Sequence, residues 1–166
     1  MSQPPVLPRE GELEFDFGSC PWRKIDGEFT IQGMRLVDFI VEEEDRTLLI
    51  EVKDPGQEDA ILSERDKWQM DGHIRNKIET NIVPKARDTY CYLHLMQETD
   101  RPIDLIFLLG YDEPDANLRI GVLPHLKKRL RQEGPAPWKR PYIRESFFLR
   151  LEDFSRVCPS FSVRRV

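Results

Sequence analysis

"VDFIVEEEDRTLLIEVKD", residues 37–54, holds two runs rich in branched apolar residues on either side of an acidic stretch. With its neighbours it reads as a hairpin, one strand over 34–41 and the other over 46–54. Side chains alternate between the faces of a strand, so Leu49, Glu51 and Lys53 share one face while Leu48, Ile50 and Val52 share the other. On the first strand Leu36, Asp38 and Ile40 oppose Val37, Phe39 and Val41. A loop of two residues at Glu44 and Asp45, or of four, sets Val41 across from Leu48, Phe39 from Ile50 and Val37 from Val52. One face is then wholly apolar, and a slip of one residue would destroy it. In the same register Asp38 faces Glu51, with Lys53 one step along.

Working outward, residues 1–11, with three prolines, read as an irregular arm. "ELEFDF" (12–17) alternates strictly and predicts a half-buried strand, followed by loop signals around a short connector. Downstream of the hairpin, 58–97 favours helix, with Ile74, Ile78 and Ile82 recurring every four positions. Pro84 lacks an amide and clashes with the preceding turn, which predicts two pieces, 58–80 and 84–97. "IDLIFLLG" (103–110) suits a strand covered on both faces. "PHLKKRLRQEG" (124–134) suggests a short helix with Pro at its start and Gly at its end. A strand near 146–151 and a helix or turn close the chain. This order predicts an α/β fold, a mixed central β-sheet flanked by helices in a single domain over 1–166: the arm, a core over 12–110 and basic elements over 117–166.

With 39% hydrophobic residues, nine Phe and three Trp, the chain is too apolar for disorder. No run approaches a membrane span and the N-terminus lacks signal-peptide character, so a cytoplasmic location is expected. Cys20, Cys91 and Cys158 are odd in number and far apart, fitting neither a disulfide framework nor a zinc site, and His73, His94 and His125 are dispersed. The net charge of −5 conceals an asymmetry: residues 1–116 carry 13 basic and 26 acidic side chains, residues 117–166 carry 12 and 4. The tail can meet a phosphate backbone through Lys127, Lys128, Arg131, Lys139, Arg140 and Arg144, with Trp138 and Tyr142 able to stack on bases, or it can pack against its own acidic half.

Two carboxylates about 5 Å apart repel by roughly 3 kcal/mol at an effective dielectric of about 20, several times a typical cross-strand contribution. A divalent cation held by both offsets this directly, and Mg²⁺ suits oxygen donors of this kind. Asp38, then Glu51-Val52-Lys53 closing an apolar strand, then a long helix and another apolar strand, resembles the PD-(D/E)xK nuclease superfamily, of restriction-endonuclease-like fold. "KARDT" (85–89) is similar to stretches in bacterial members. The resemblance covers about 34–110 and implies that Asp38, Glu51 and the Val52 carbonyl hold Mg²⁺ or Mn²⁺, with Lys53 orienting a water or stabilising the transition state.

Val37 stands where the name-giving proline would be. The superfamily's further acid has candidates in Glu14, Asp16, Asp26 and Glu28, of which Glu28 is preferred, and Lys85, Asp88 and Thr89 supply polar groups on the following helix. The resulting expectation is a metal-dependent nuclease acting on DNA in defence, repair or mobile-element processing, as a homodimer where double-strand cleavage needs two sites. The alternatives are RNA as substrate, or an inactive nuclease fold serving as a binding or assembly module for a protein partner.

Overall fold

A computed structural model describes residues 6–25, 33–56, 62–110, 116–132 and 139–166. Its first five strands are β1 (Arg9–Glu10), β2 (Leu13–Asp16), β3 (Trp22–Lys24), β4 (Phe39–Glu42) and β5 (Thr47–Lys53). Helices α1 (Leu62–Lys67) and α2 (Asp71–Lys77) follow, then a π-helical turn (Ile78–Ile82) and α3 (Val83–Leu95). β6 (Ile103–Leu109), α4 (Ala116–Arg129), β7 (Ser146–Arg150), α5 (Leu151–Val157) and β8 (Ser162–Arg165) complete the described elements. The fold is mixed α/β, as expected, with two sheets. The larger runs β3-β4-β5-β6-β7, antiparallel as far as β5 and parallel from β5 to β7, and the smaller runs β1-β2-β8.

The large sheet is buried on both sides. One apolar layer joins Ile40, Leu49, Leu105, Phe107 and Leu109 to the helices through Ile74, Ile78, Ile82, Ala86 and Leu93. The other joins Phe39, Val41, Leu48, Ile50 and Val52 to Leu13, Phe15 and Phe17 of the small sheet and to Phe154 of α5. Phe15 lies 5.0 Å, ring centre to ring centre, from Phe39, and burying each such ring stabilises the fold by about 1.5–3 kcal/mol. Every residue of β6 is buried, which explains its unbroken apolar run.

The hairpin register is the one its alternation demands: Phe39 pairs with Ile50, Ile40 with Leu49 and Val41 with Leu48. The first strand, however, starts at Phe39 rather than 34, and Val37 packs with Ile40 and Leu49 on the helix side instead of continuing the Phe39 face. Side chains of other segments displace the backbone ladder here. The Val37 amide donates to Thr89 Oγ1 at 3.0 Å, and the Val52 amide donates to the Asp38 carboxylate at 2.6 Å.

Other expectations need correction. The arm contains β1, and the connector contains β3. Pro84 does not divide the helix: a π turn precedes it, and the Thr80 carbonyl, which an amide at 84 would engage in an α-helix, accepts Arg35 Nη1 at 2.9 Å. α4 begins at Ala116 and carries Pro124 within it, because Val122, Leu126 and Leu130 form a buried row at four-residue spacing while Pro124 stays on the exposed side. β8 was not foreseen, since only Val163 of its residues is partly covered.

Thr89 and Asp88, both on α3, fix the approach to β4, Asp88 by accepting the Arg35 amide at 3.1 Å. Thr89→Val keeps the shape but leaves the buried Val37 amide without its acceptor, so it should cost about 1–3 kcal/mol in urea unfolding while Thr89→Ser costs much less. Equal stability of the Val variant and wild type would contradict this role.

Candidate functional site

The approach to β4 and the end of β5 bring two acids together on the helix face of the large sheet. Asp38 has its carbonyl bonded by the Ile25 amide at 3.1 Å and its carboxylate by the Val52 amide, so main chain fixes both ends of the residue. Glu51 follows Leu49 on the helix side and is fully buried beside Phe107 of β6. In such a place a carboxylate persists only if paired.

Two lysines do the pairing. Lys53, two residues on and therefore on the same face, places Nζ 2.6 Å from Glu51 Oε1. Lys85, in the first turn of α3, places Nζ 2.9 Å from both Glu51 oxygens and 3.6 Å from Asp38 Oδ1. The four side chains singled out in the sequence thus meet, with Lys85 as the common neighbour of both acids.

The balance is incomplete at Asp38. Burial, reinforced by the Glu51 charge, pushes its carboxyl up to about 7 against the pull of Lys85 and the Val52 amide. For Lys85, burial alone would lower the ammonium, but the charges of Glu51 and Asp38 outweigh it and raise its pKa. Asp38 is thus only partly ionised near neutral pH although two lysines stand beside the two acids.

The further acid has no settled place. Glu28 and Asp26 lie outside the described residues. Glu14 belongs to the small sheet and is bound by Arg9 at 2.7 Å and by Arg164, which hold its carboxyl below the ordinary range, Arg164 most strongly. Asp16 is exposed and closes a turn onto the Gly18 amide at 2.8 Å. Glu10, at the end of β1, is the acid whose charge adds to that of Glu51 in raising Asp38. Among the described residues no three acids, histidines or cysteines stand close enough to hold one ion. The donor set remains compatible with Mg²⁺ or Mn²⁺, which binds through one or two carboxylates and completes its shell with water and phosphate oxygens. Burial first, and the Glu51 charge second, hold Asp38 toward its neutral form, and a cation bound there would offset both.

Sequence reasoning missed the clamp that follows the site. Asp54, next to Lys53, takes both terminal nitrogens of Arg165 at 2.9 and 2.7 Å, tying β8 to the end of β5. Gly110 leaves room for it, since a Cβ there would stand 2.7 Å from Asp54 Oδ1 and 2.9 Å from the Leu13 side chain and would force them to shift. A polar Asp after an E-x-K and a terminal arginine pair were the available signals.

Much of the basic tail meets the acidic half of its own chain. Arg144 binds Asp104 through two contacts of 3.0 and 2.7 Å, at the end of β6 remote from the acids, and Arg129 binds Glu79 at 2.7 Å. Lys127, Lys128, Lys139 and Arg140 make no ion pair among the described residues. Arg131 follows α4, and Trp138 lies outside the described residues. No helix of the described residues is long and apolar enough to cross a membrane. Comparison of the chain with known protein families, with curated proteins and with solved structures yields no match.

The Asp38 shift fixes a sign for pH dependence. The folded state binds this proton more tightly than the unfolded chain, whose carboxyl titrates near 3.8, so the contribution is complete below that value and is lost as pH rises through about 7. Asp38→Asn should remove a stability decline of up to about 4 kcal/mol across that window. Urea unfolding of both proteins at several pH values checks it, and a difference between them that does not vary with pH would refute it.

Proposed function

We propose that this protein is a metal-dependent nuclease of the PD-(D/E)xK superfamily, with a restriction-endonuclease-like fold, hydrolysing DNA phosphodiester bonds. The observation that carries the reading is the convergence of Asp38, just before β4, and Glu51, on β5, into one buried place, with Lys53 on the same face as Glu51. The mixed sheet, with a long helical region between β5 and a parallel β6, agrees with the resemblance noted in the sequence.

Asp38 and Glu51, with the carbonyl of Val52, would hold Mg²⁺ or Mn²⁺, which when bound polarises a phosphate and lowers the pKa of water. The chain's own groups do the rest. Lys53 and Lys85 are committed to the carboxylates when no other cation is near; with the acids otherwise neutralised, their ammoniums are available to a phosphate. Lys53, less buried than Lys85, orients the attacking water or stabilises the charge that grows on the phosphoryl oxygens. Lys85 neutralises the acids while the site waits. Asp38 must lose its proton to serve, so metal affinity rises with pH through about 7.

A second reading has one observation in its favour. Lys53 and Lys85 already balance the two acids, so the scaffold can persist without metal as a binding or assembly module. Incubating plasmid, single-stranded DNA and RNA with the protein in Mg²⁺ or Mn²⁺ separates the two. The nuclease reading expects metal-dependent cutting that falls by roughly 10²–10³-fold in Asp38→Asn and in Lys53→Ala. Absence of cutting on every substrate, together with no heat on titration with Mn²⁺, would leave the module.

A further inference from the structure

Two adjoining cavities lie away from the acid pair, one of about 600 Å³ and one of about 290 Å³, and they share Tyr90, Arg140 and Tyr142. Three segments build the larger. α3 contributes Arg87 and Tyr90 from the side opposite Lys85, the end of α4 contributes Arg129 and Arg131, and the approach to β7 contributes Arg140 and Tyr142. No acidic residue lines it among the described residues, while Asp100 is the acid lining the smaller cavity, beside Arg101 and Arg144.

We propose that this groove binds single-stranded nucleic acid, with the arginines on phosphates and the two tyrosines against unpaired bases. Guanidinium forks match phosphate oxygens two at a time, and four of them around one cavity make a strongly anion-attracting surface. Arg140 makes no ion pair among the described residues, and Arg87 and Arg129 have their acids, Asp88 and Glu79, outside the lining. Tyr90 and Tyr142 are half-buried, edge to face at 5.6 Å, and packed against the helix-side core, and a tyrosine ring offers a base stacking area at little cost in side-chain freedom. Burial pushes the Tyr142 phenol up to about 12 against the pull of Arg87 and Arg131, so it stays neutral and adds no repulsion toward phosphate. A duplex keeps its base faces stacked on one another and can offer these rings nothing, which is why the unpaired strand is the fitting ligand.

This inference does not depend on the acid pair or on hydrolysis, so it is tested without metal. Fluorescence anisotropy in EDTA, with the full chain and a labelled oligonucleotide of about 10 residues, compares single strand, duplex of the same sequence and free mononucleotide. The strand should bind roughly tenfold or more tightly than either of the others, and Arg87→Ala/Arg140→Ala should lose roughly tenfold or more. Cys91, exposed and lining the same cavity, gives an independent reading in the unaltered protein. Saturating oligonucleotide should slow its alkylation. Equal binding of duplex or mononucleotide, undiminished binding by the double variant, or unchanged Cys91 reactivity would each overturn the proposal. Failure here with metal-dependent cutting intact leaves the nuclease reading standing, and the reverse result leaves the groove standing.

Discussion

Two buried acids in one place on a sheet need a proton or a cation to offset their repulsion, and in this protein Lys85 is the cation they share. Its Nζ sits 2.9 Å from Glu51 and 3.6 Å from Asp38, joining α3 to β5 and to the segment that enters β4. Removing one partner from a buried ion pair commonly costs about 3–5 kcal/mol, because the remaining charge is stranded away from water. The surrounding structure is arranged so that the pairing is possible: Pro84 and the π turn set where α3 begins, and Thr89 and Asp88, one turn beyond Lys85, hold the chain leading to Asp38.

That arrangement is a poor choice for stability alone. Apolar residues at 38, 51 and 85 would fill the same space without desolvating charge, and replacements of that kind are often neutral or stabilising. The site instead keeps Asp38 near the midpoint of its titration at neutral pH, through burial and the nearness of Glu51. Buried titratable groups with strongly displaced pKa values cluster at functional sites, because chemistry needs charge that the fold alone does not. The meeting of two acids in one buried place, one of them with a displaced titration, is the basis for proposing a metal centre there.

The hairpin was legible because burial on one face leaves a single register in which Phe39, Val41, Leu48 and Ile50 are all covered, and the structure pairs them so. The same alternation placed Glu51 and Lys53 together. It failed at Val37, whose face is decided by a hydrogen bond to Thr89, 52 residues away, a dependence that local periodicity cannot carry. Lys85 was within reach as a candidate, but its contact with Glu51 spans 34 residues and rests on how α3 crosses the sheet. Pro124 concealed α4 because the row Val122, Leu126 and Leu130 outweighs one missing amide bond. β8 was hidden by its polarity, since its arginines serve Glu14 and Asp54 rather than an apolar layer. The tyrosine and arginine groove draws on three separate segments, so no window of sequence contains it.

The account is tested most directly by diffraction from crystals soaked in Mn²⁺, with anomalous data locating the metal. It predicts a single strong peak between the carboxylates of Asp38 and Glu51, with the Lys85 ammonium moved off Glu51. Crystals with no peak at that position, and with Lys85 still bonded to both Glu51 oxygens, would contradict it.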